Sequence, residues 1–326
     1  MTVTEPFTHH SFYHLRSPAQ VTSLNFDNLD IYTRYRGHPE LDRLDHIRLL
    51  QHELGAALAA GGRCSAIIHG EIIQAICAVT PLAWDSEHFG QKMAKISISS
   101  CPAVAPKTLQ LLAEKTVMAA NLGREVHISC EVDIDNYLCL NTLLSMGAEI
   151  LDLKREYRAK SLKNVPPPKF RAYVRPYTEA DRDSILEILD YSFFATRFSR
   201  DSILCHQKSQ QLYRQWMKKI LDRSDEERTA LVVEKAGVVL ACGTIEAQDL
   251  RFAGVDLQLM SGGIYVSRSD ATGYYYPVIY ELIQTALTHY STAQTCISLN
   301  NHAAVRVLEK MNFGTNSTRY ALRLAR

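Results

Sequence analysis

The chain has 326 residues, more than one typical domain holds, so two units of about 160 residues each have length enough to bury a core. Its composition, 46% hydrophobic and 22% charged, is that of a folded soluble protein. A formal net charge of +1, with no basic run interleaved with aromatics, excludes nucleic acid as an expected partner. The opening stretch, residues 1–15, is polar, carries His9, His10 and His14, and lacks the apolar core of a signal peptide. With no apolar run of spanning length either, a cytoplasmic protein without a membrane partner is expected.

In chain order, residues 64–68 and 71–79 flank His69-Gly70 and read as a hairpin. The stretch Trp84-Asp-Ser-Glu-His-Phe-Gly90 follows and reads first as a packing turn. Residues 97–107 contain no glycine and read as a loop before a helix over 108–121; such a loop has difficulty reaching the positive φ values of an anion cradle. A strand over 126–132 then precedes Asn136-Tyr-Leu-Cys-Leu-Asn-Thr-Leu-Leu-Ser-Met-Gly147. The same plan recurs 165 residues later in Asn301-His-Ala-Ala-Val-Arg-Val-Leu-Glu-Lys-Met-Asn312, after a strand over 295–299. Each copy opens a helix at Asn, repeats Leu or Val on one face, and stops at a residue that tolerates left-handed backbone. An internal duplication follows.

Three consecutive prolines in Val165-Pro-Pro-Pro-Lys169 read as a stiff connector, dividing the chain into domains 1–160 and 170–326 joined by 161–169. Beyond it come a strand (171–176), helices (179–192 and 209–221), a hairpin around Lys235-Ala-Gly237, a strand (255–266), a helix (277–289), and a final strand, helix and strand. That order is mixed α/β. The eight cysteines show neither Cys-x-x-Cys pairs nor histidines at ligand spacing, so buried thiols are expected, not a metal site or disulfides.

The second half resembles the GNAT superfamily of acetyltransferases, which includes the histone and aminoglycoside enzymes. The resemblance covers residues 170–326 and rests on three segments. Val174-Arg-Pro-Tyr-Thr-Glu-Ala-Asp181 matches the opening strand and helix cap; the strand ending Ile264-Tyr265-Val266, with its loop and amphipathic helix, matches the pyrophosphate-binding element; Asn301-x-x-Ala304 with Glu309, Lys310 and Phe313 matches the closing helix. The resemblance implies tandem GNAT folds, the first copy degenerate, with acetyl-CoA as co-substrate and a primary amine as acceptor. Amides of Thr272, Gly273, Tyr274 and Tyr275, ahead of a helix start at Pro277, then form the phosphate cradle, while backbone groups of Ile264, Tyr265 and Val266 bond the pantetheine arm. Asn301 and Ala304 complete the cofactor set.

This chain departs from the family at two places. Ala271-Thr-Gly-Tyr-Tyr-Tyr276 keeps one glycine of the usual glycine-rich loop, and Leu308 stands where the family often carries a tyrosine as general acid. Tyr265 is the candidate substitute acid, with Tyr274, Tyr275 and Tyr276 at the cofactor loop as the other replacements, and Glu246, with Asp256 as second choice, the candidate base. Within the superfamily, Tyr191-Ser-Phe-Phe-Ala-Thr-Arg-Phe-Ser-Arg-Asp201 and Leu212-Tyr-Arg-Gln-Trp216 resemble the dTDP-fucosamine acetyltransferase group, which also carries a tryptophan signature like Trp84–Gly90 in its first domain. That implies an amino sugar or nucleotide-linked amino sugar as acceptor, contacted by Arg197, Tyr213 and Trp216, the arginine offering a fork to phosphate. Other readings are an acetyltransferase for another small-molecule or protein amine, such as the thiol-precursor amine of mycothiol synthase, and a non-catalytic acyl-CoA-binding protein. A homodimer is left open.

Overall fold

The computed structural model describes residues 11–70, 72–123, 126–159, 161–192, 196–223 and 228–325. His9, His10, Glu71 and residues 193–195 of the substrate-loop segment lie outside these. Two compact units form, Met1–Leu151 with Arg319–Arg326, and Asp152–Thr318.

The first unit contains β1 (Ser11–Leu15), α1 (Pro18–Thr22), α2 (Arg43–Ala59), β2 (Arg63–His69), β3 (Ile72–Pro81), α3 (Ala83–Phe89), β4 (Lys92–Ser100), α4 (Pro106–Ala119), β5 (Val126–Asp133) and α5 (Tyr137–Ser145). The strands lie in the order β1-β2-β3-β4-β5. Leu109, Leu112 and Leu143 bury one face with Ile96 and Ile128; Val21, Phe26 and Leu54 bury the other with Ile73 and Ile76. Residues 97–100, expected in a loop, extend β4 and pair with 75–78 of β3. Serine carries its own ladder donor and acceptor, and Ile96 and Ile98 keep the alternation of a strand, so the lack of glycine signals extension here.

The second unit begins in β6 (Glu149–Ala159) and continues through β7 (Tyr173–Pro176), α6 (Arg182–Asp190), α7 (Arg197–Arg200), α8 (His206–Leu221), β8 (Arg228–Lys235), β9 (Val238–Asp249), β10 (Gln258–Ser267), α9 (Tyr275–Ala286), β11 (Ala293–Ser298), α10 (His302–Lys310) and into β12 (Phe313–Ala325). Its strand order is β6-β11-β10-β9-β8-β7. Helices α9 and α10 cover one face through Ile279, Leu282, Ile283 and Leu308. Helices α6 and α8 cover the other through Ile185, Leu189, Met217 and Ile220.

The compact units divide elsewhere than at the prolines. β6 pairs with β11, residues 154–158 against 294–298, whereas residues 319–325 of β12 pair with β5 in the first unit. A strand from each half thus serves in the unit of the other half. The proline segment itself is anchored, because Leu162 and Val165 are buried in the second core and the Tyr276 hydroxyl donates to the Pro166 carbonyl at 2.8 Å.

The duplicated motif has the local geometry its sequence predicts. Asn136 and Asn301 each cap a helix, their side chains accepting from Cys139 N and Ala304 N at 3.1 Å. Gly147 and Asn312 end the two copies at φ 87° and 63°.

Candidate functional site

In the second unit the parallel strands β10 and β11 share register only at Met260 with Ala293 and Ser261 with Gln294. Beyond that point they diverge, leaving a fork. A bulge between Gly262 and Tyr265 shifts β10 against β9. Thr244, fully buried, plugs it: its hydroxyl accepts from Ile264 N at 2.9 Å and donates to the Ile264 carbonyl at 3.3 Å. A bulge re-aims the backbone, and this one is pinned by a side chain that satisfies both of its exposed polar groups. The glycines are required by space. A Cβ on Gly263 would lie 2.3 Å from Thr244 Oγ1, and one on Gly262 would lie 2.6 Å from Thr295 Oγ1 and 2.8 Å from the Tyr265 hydroxyl.

The fork opens into a cleft of 590 Å³ between the end of β10, the head of α9, α10 and the C-terminal part of α6. Ser267 to Asp270, Tyr275, Asn301 and Ala304 line it, with Glu187, Ile188 and Tyr191 opposite. A ligand crevice beyond the carboxyl end of a strand, next to a helix N-terminus, is where anionic groups bind in open α/β sheets. Its described charged lining is two acids, Glu187 and Asp270, against one base, Arg268. Arg268 pairs with Asp270 at 3.1 Å, and that guanidinium holds the Asp270 carboxyl below the usual range.

Of the residues expected at the phosphate cradle, Tyr275 lines the cleft, while Gly273 and Tyr274 do not; the Thr272 side chain lies outside the described ones. Gly273 lies in a 3-10 turn over Ser269–Tyr274, and a Cβ there would meet only the Phe170 ring, at 3.8 Å. Tyr274 stacks edge-on against the same ring at 5.2 Å. The single retained glycine therefore faces Phe170, and the backbone at the cleft is that of 267–270. The glycine pattern pointed past these residues; their position directly after a strand end was the available signal.

Tyr265, Ile264 and Val266 sit on the bulged strand, with Ile264 and Val266 turned to the α6–α8 core and Tyr265 to the α9–α10 core. The Tyr265 ring meets Tyr275 edge-on at 5.8 Å. Burial, and then Tyr275, pushes its hydroxyl well above the ordinary tyrosine range. Leu308 and Tyr265 line one small chamber behind the fork, together with Thr295. So the residue at the family's usual acid position and its candidate substitute share a site.

Glu246 lies on β9 opposite Ser261, half-buried. Alternation along β9 puts it on the face of Cys242, which packs toward α6 and α8. Glu246 and Tyr265 are thus on opposite faces of the sheet, one to each side of the fork. Asp256 is exposed ahead of β10 and does not line the cleft. Arg197, Tyr213 and Trp216 stand on α7 and α8. Tyr213 and Trp216 rings are 6.0 Å apart, and Tyr213 senses the charges of Lys154, Arg197 and Asp152. Burial raises the Tyr213 hydroxyl. These three residues form a cluster of their own, outside the cleft lining.

The corresponding place in the first unit is built differently. β4 and β5 pair over five positions, from Lys92 with Val126 to Ile96 with Cys130, and β4 carries no bulge. At its end the Asp30 amide donates to the Ser100 carbonyl at 3.0 Å, so the chain itself takes a backbone acceptor that a pantetheine arm would need. Trp84–Gly90 forms α3, closed by Gly90 in left-handed conformation, with Trp84 stacked on His88 and Phe89 buried. It packs as a helical turn. Six cysteines are buried, and Cys205 and Cys296 are exposed. Among the described residues no cluster of metal-binding side chains occurs, and no helix is long and apolar enough to cross a membrane.

No protein-family model matches the chain, and no curated protein matches it. Solved structures do. A GCN5-related N-acetyltransferase from Sphaerobacter thermophilus is 11% identical, with 96% of this chain and 95% of that chain covered at a TM-score of 0.55. The tandem GNAT protein from the clavulanic acid biosynthesis pathway, solved without acetyl-CoA, is 11% identical, with 97% of this chain and 98% of that chain covered at a TM-score of 0.53. Coverage of both chains nearly end to end, together with the fork, the bulge and the capped helices, defines the class: this chain has the tandem GNAT fold.

Proposed function

We propose that the second unit is an acetyl-CoA-dependent N-acetyltransferase acting on a primary amine. The observation that carries this reading is the bulged fork between β10 and β11, opening onto a cleft at the head of a helix. The residues fit the co-substrate. The edge of β10 at Tyr265 and Val266 offers backbone groups to the pantetheine arm, with Ile264 held in the bulge by Thr244; the head of α9 and the backbone of 267–270 face its phosphates, and Asn301 and Ala304 close the cleft. When bound, acetyl-CoA supplies an activated thioester: the neutral amine forms the C–N bond, the C–S bond breaks, and the departing sulfur takes up a proton.

The chain's own groups divide this work by face. Glu246, on the α6–α8 side, accepts the acceptor's proton directly or through water. Tyr265, on the α9–α10 side, keeps its proton because burial raises its pKa, and so donates a hydrogen bond to the departing sulfur. A coenzyme thiolate is a tolerable leaving group near neutral pH, so full transfer of the tyrosine proton is not required. The acceptor reading is an amino sugar or nucleotide-linked amino sugar, supported by the Tyr191–Asp201 resemblance and by Tyr213, which lies beside Trp216 and within the fields of Arg197 and Lys154. Acetyl transfer assayed over amino sugars, their nucleotide-linked forms, other small amines and peptide amines tests this. Turnover of the sugar amines supports it, turnover of the others alone moves the acceptor, and no turnover despite acetyl-CoA binding favours the non-catalytic reading raised by Leu308.

A further inference from the structure

Behind the fork lies a second space, lined by Met260, Ile279, Ile283, Ile297, Leu308 and Phe313 among others. It is apolar, as an acyl chain would require. Its volume is 10 Å³, no more than one water needs. Two residues line both this chamber and the cleft, Tyr265 and Tyr275. Their rings meet edge-on and form the wall between the spaces. The wall is built into the strand: Gly243 has no Cβ, and one there would lie 2.8 Å from Tyr265 Cδ1 and 2.9 Å from Leu282 Cδ1. At the other end of the ring, Gly262 leaves room for the hydroxyl. Two glycines therefore form the socket that holds Tyr265 across the fork.

We infer that this tyrosine wall sets the acyl length of the donor, admitting a two-carbon acyl group and excluding longer chains from the apolar chamber. The inference rests on the proposed acyl-CoA site and adds to it which acyl-CoA fits. The ring, not the hydroxyl, is the determinant, and Tyr265 acts here by shape alone. Removing the ring joins chamber to cleft, and each methylene then buried among Ile279, Ile283 and Leu308 tightens binding by about fourfold, the equivalent of about 0.8 kcal/mol.

The test is titration calorimetry of the full chain with acetyl-, butyryl- and hexanoyl-CoA. The native protein is expected to bind acetyl-CoA at least tenfold more tightly than hexanoyl-CoA. Tyr265→Phe should keep that order, and Tyr265→Ala should reverse it. Adding Leu308→Phe to Tyr265→Ala should refill the chamber and remove the gain. Hexanoyl-CoA bound by the native protein as tightly as acetyl-CoA overturns the inference while leaving the acyl-CoA site standing, a result that needs no variant to fold. Binding of none of the three overturns both.

Discussion

Tyr265 is held by its surroundings in the protonated form, and this has a kinetic consequence. If its hydroxyl donates to the departing sulfur, Tyr265→Phe lowers kcat on the order of 10²-fold with little change in KM for acetyl-CoA. The pH profile separates this role from that of the acceptor. The amine must lose a proton to attack, so kcat/KM rises with pH and levels above the amine's pKa. The fall that ionisation of Tyr265 would cause lies beyond the ordinary tyrosine range, because burial raises its pKa. A descending limb below pH ~10, absent from Tyr265→Phe, would contradict the assignment. At the phosphate end, Asp270 sets a carboxylate against an anionic ligand and occupies Arg268. Asp270→Ala is expected to tighten acetyl-CoA binding roughly two- to fivefold at low salt, less at high salt, as for an exposed charge pair. Calorimetry at two salt concentrations measures it.

Elements carry the parts of the site that the sequence shows least. The capped helices α5 and α10 were legible because an Asn start and a left-handed stop are local chemistry. The fork was reached only through the family resemblance, which implies free backbone groups near Ile264, Tyr265 and Val266; no local pattern marks it, since it depends on where β10 ceases to pair with β11. Nor was the bulge legible, whose plug, Thr244, comes from the neighbouring strand. The turn before α9 was misleading for a physical reason: glycine there suggested a close backbone approach, yet the approach occurs at Gly262 and Gly263, two residues inside a strand. Gly273→Val should therefore change the acetyl-CoA dissociation constant by less than about twofold, since its Cβ would make only ordinary contact with the Phe170 ring at 3.8 Å and no positive φ is involved; a larger loss would return the cradle to 272–274. Where β7 leads into α6, Arg175 binds Asp181 at 2.7 and 2.8 Å and Glu234 at 2.7 Å. Hydrogen bonding from Arg175 lowers Asp181 to about 2, against about 3.9 in an unfolded chain. The stability this contributes is fully present above pH ~4 and is lost as pH falls through about 2. Urea midpoints between pH 4 and 2 should fall more steeply for the native protein than for Asp181→Asn; parallel curves would remove Asp181 from the acid response.

At the scale of the whole molecule, duplication gave two copies of one plan, and the difference between them is physical. The second copy has an unpaired, bulged strand edge, whereas in the first the strands stay paired longer and Asp30 occupies the strand's end. The sequence revealed the repeat, while the residence of 319–325 in the first unit and of 154–158 in the second could not be read from it, because strand partners far apart in sequence leave no local mark. The central claim, one acyl-CoA site at the fork of β10 and β11, is tested most directly by titrating the full chain with acetyl-CoA beside Gly262→Val, with circular dichroism showing the fold retained. One equivalent bound per chain, abolished in the variant because its side chain would collide with Thr295 and the Tyr265 hydroxyl, is the predicted result. No binding to the native chain, or binding that survives in the variant, would contradict it.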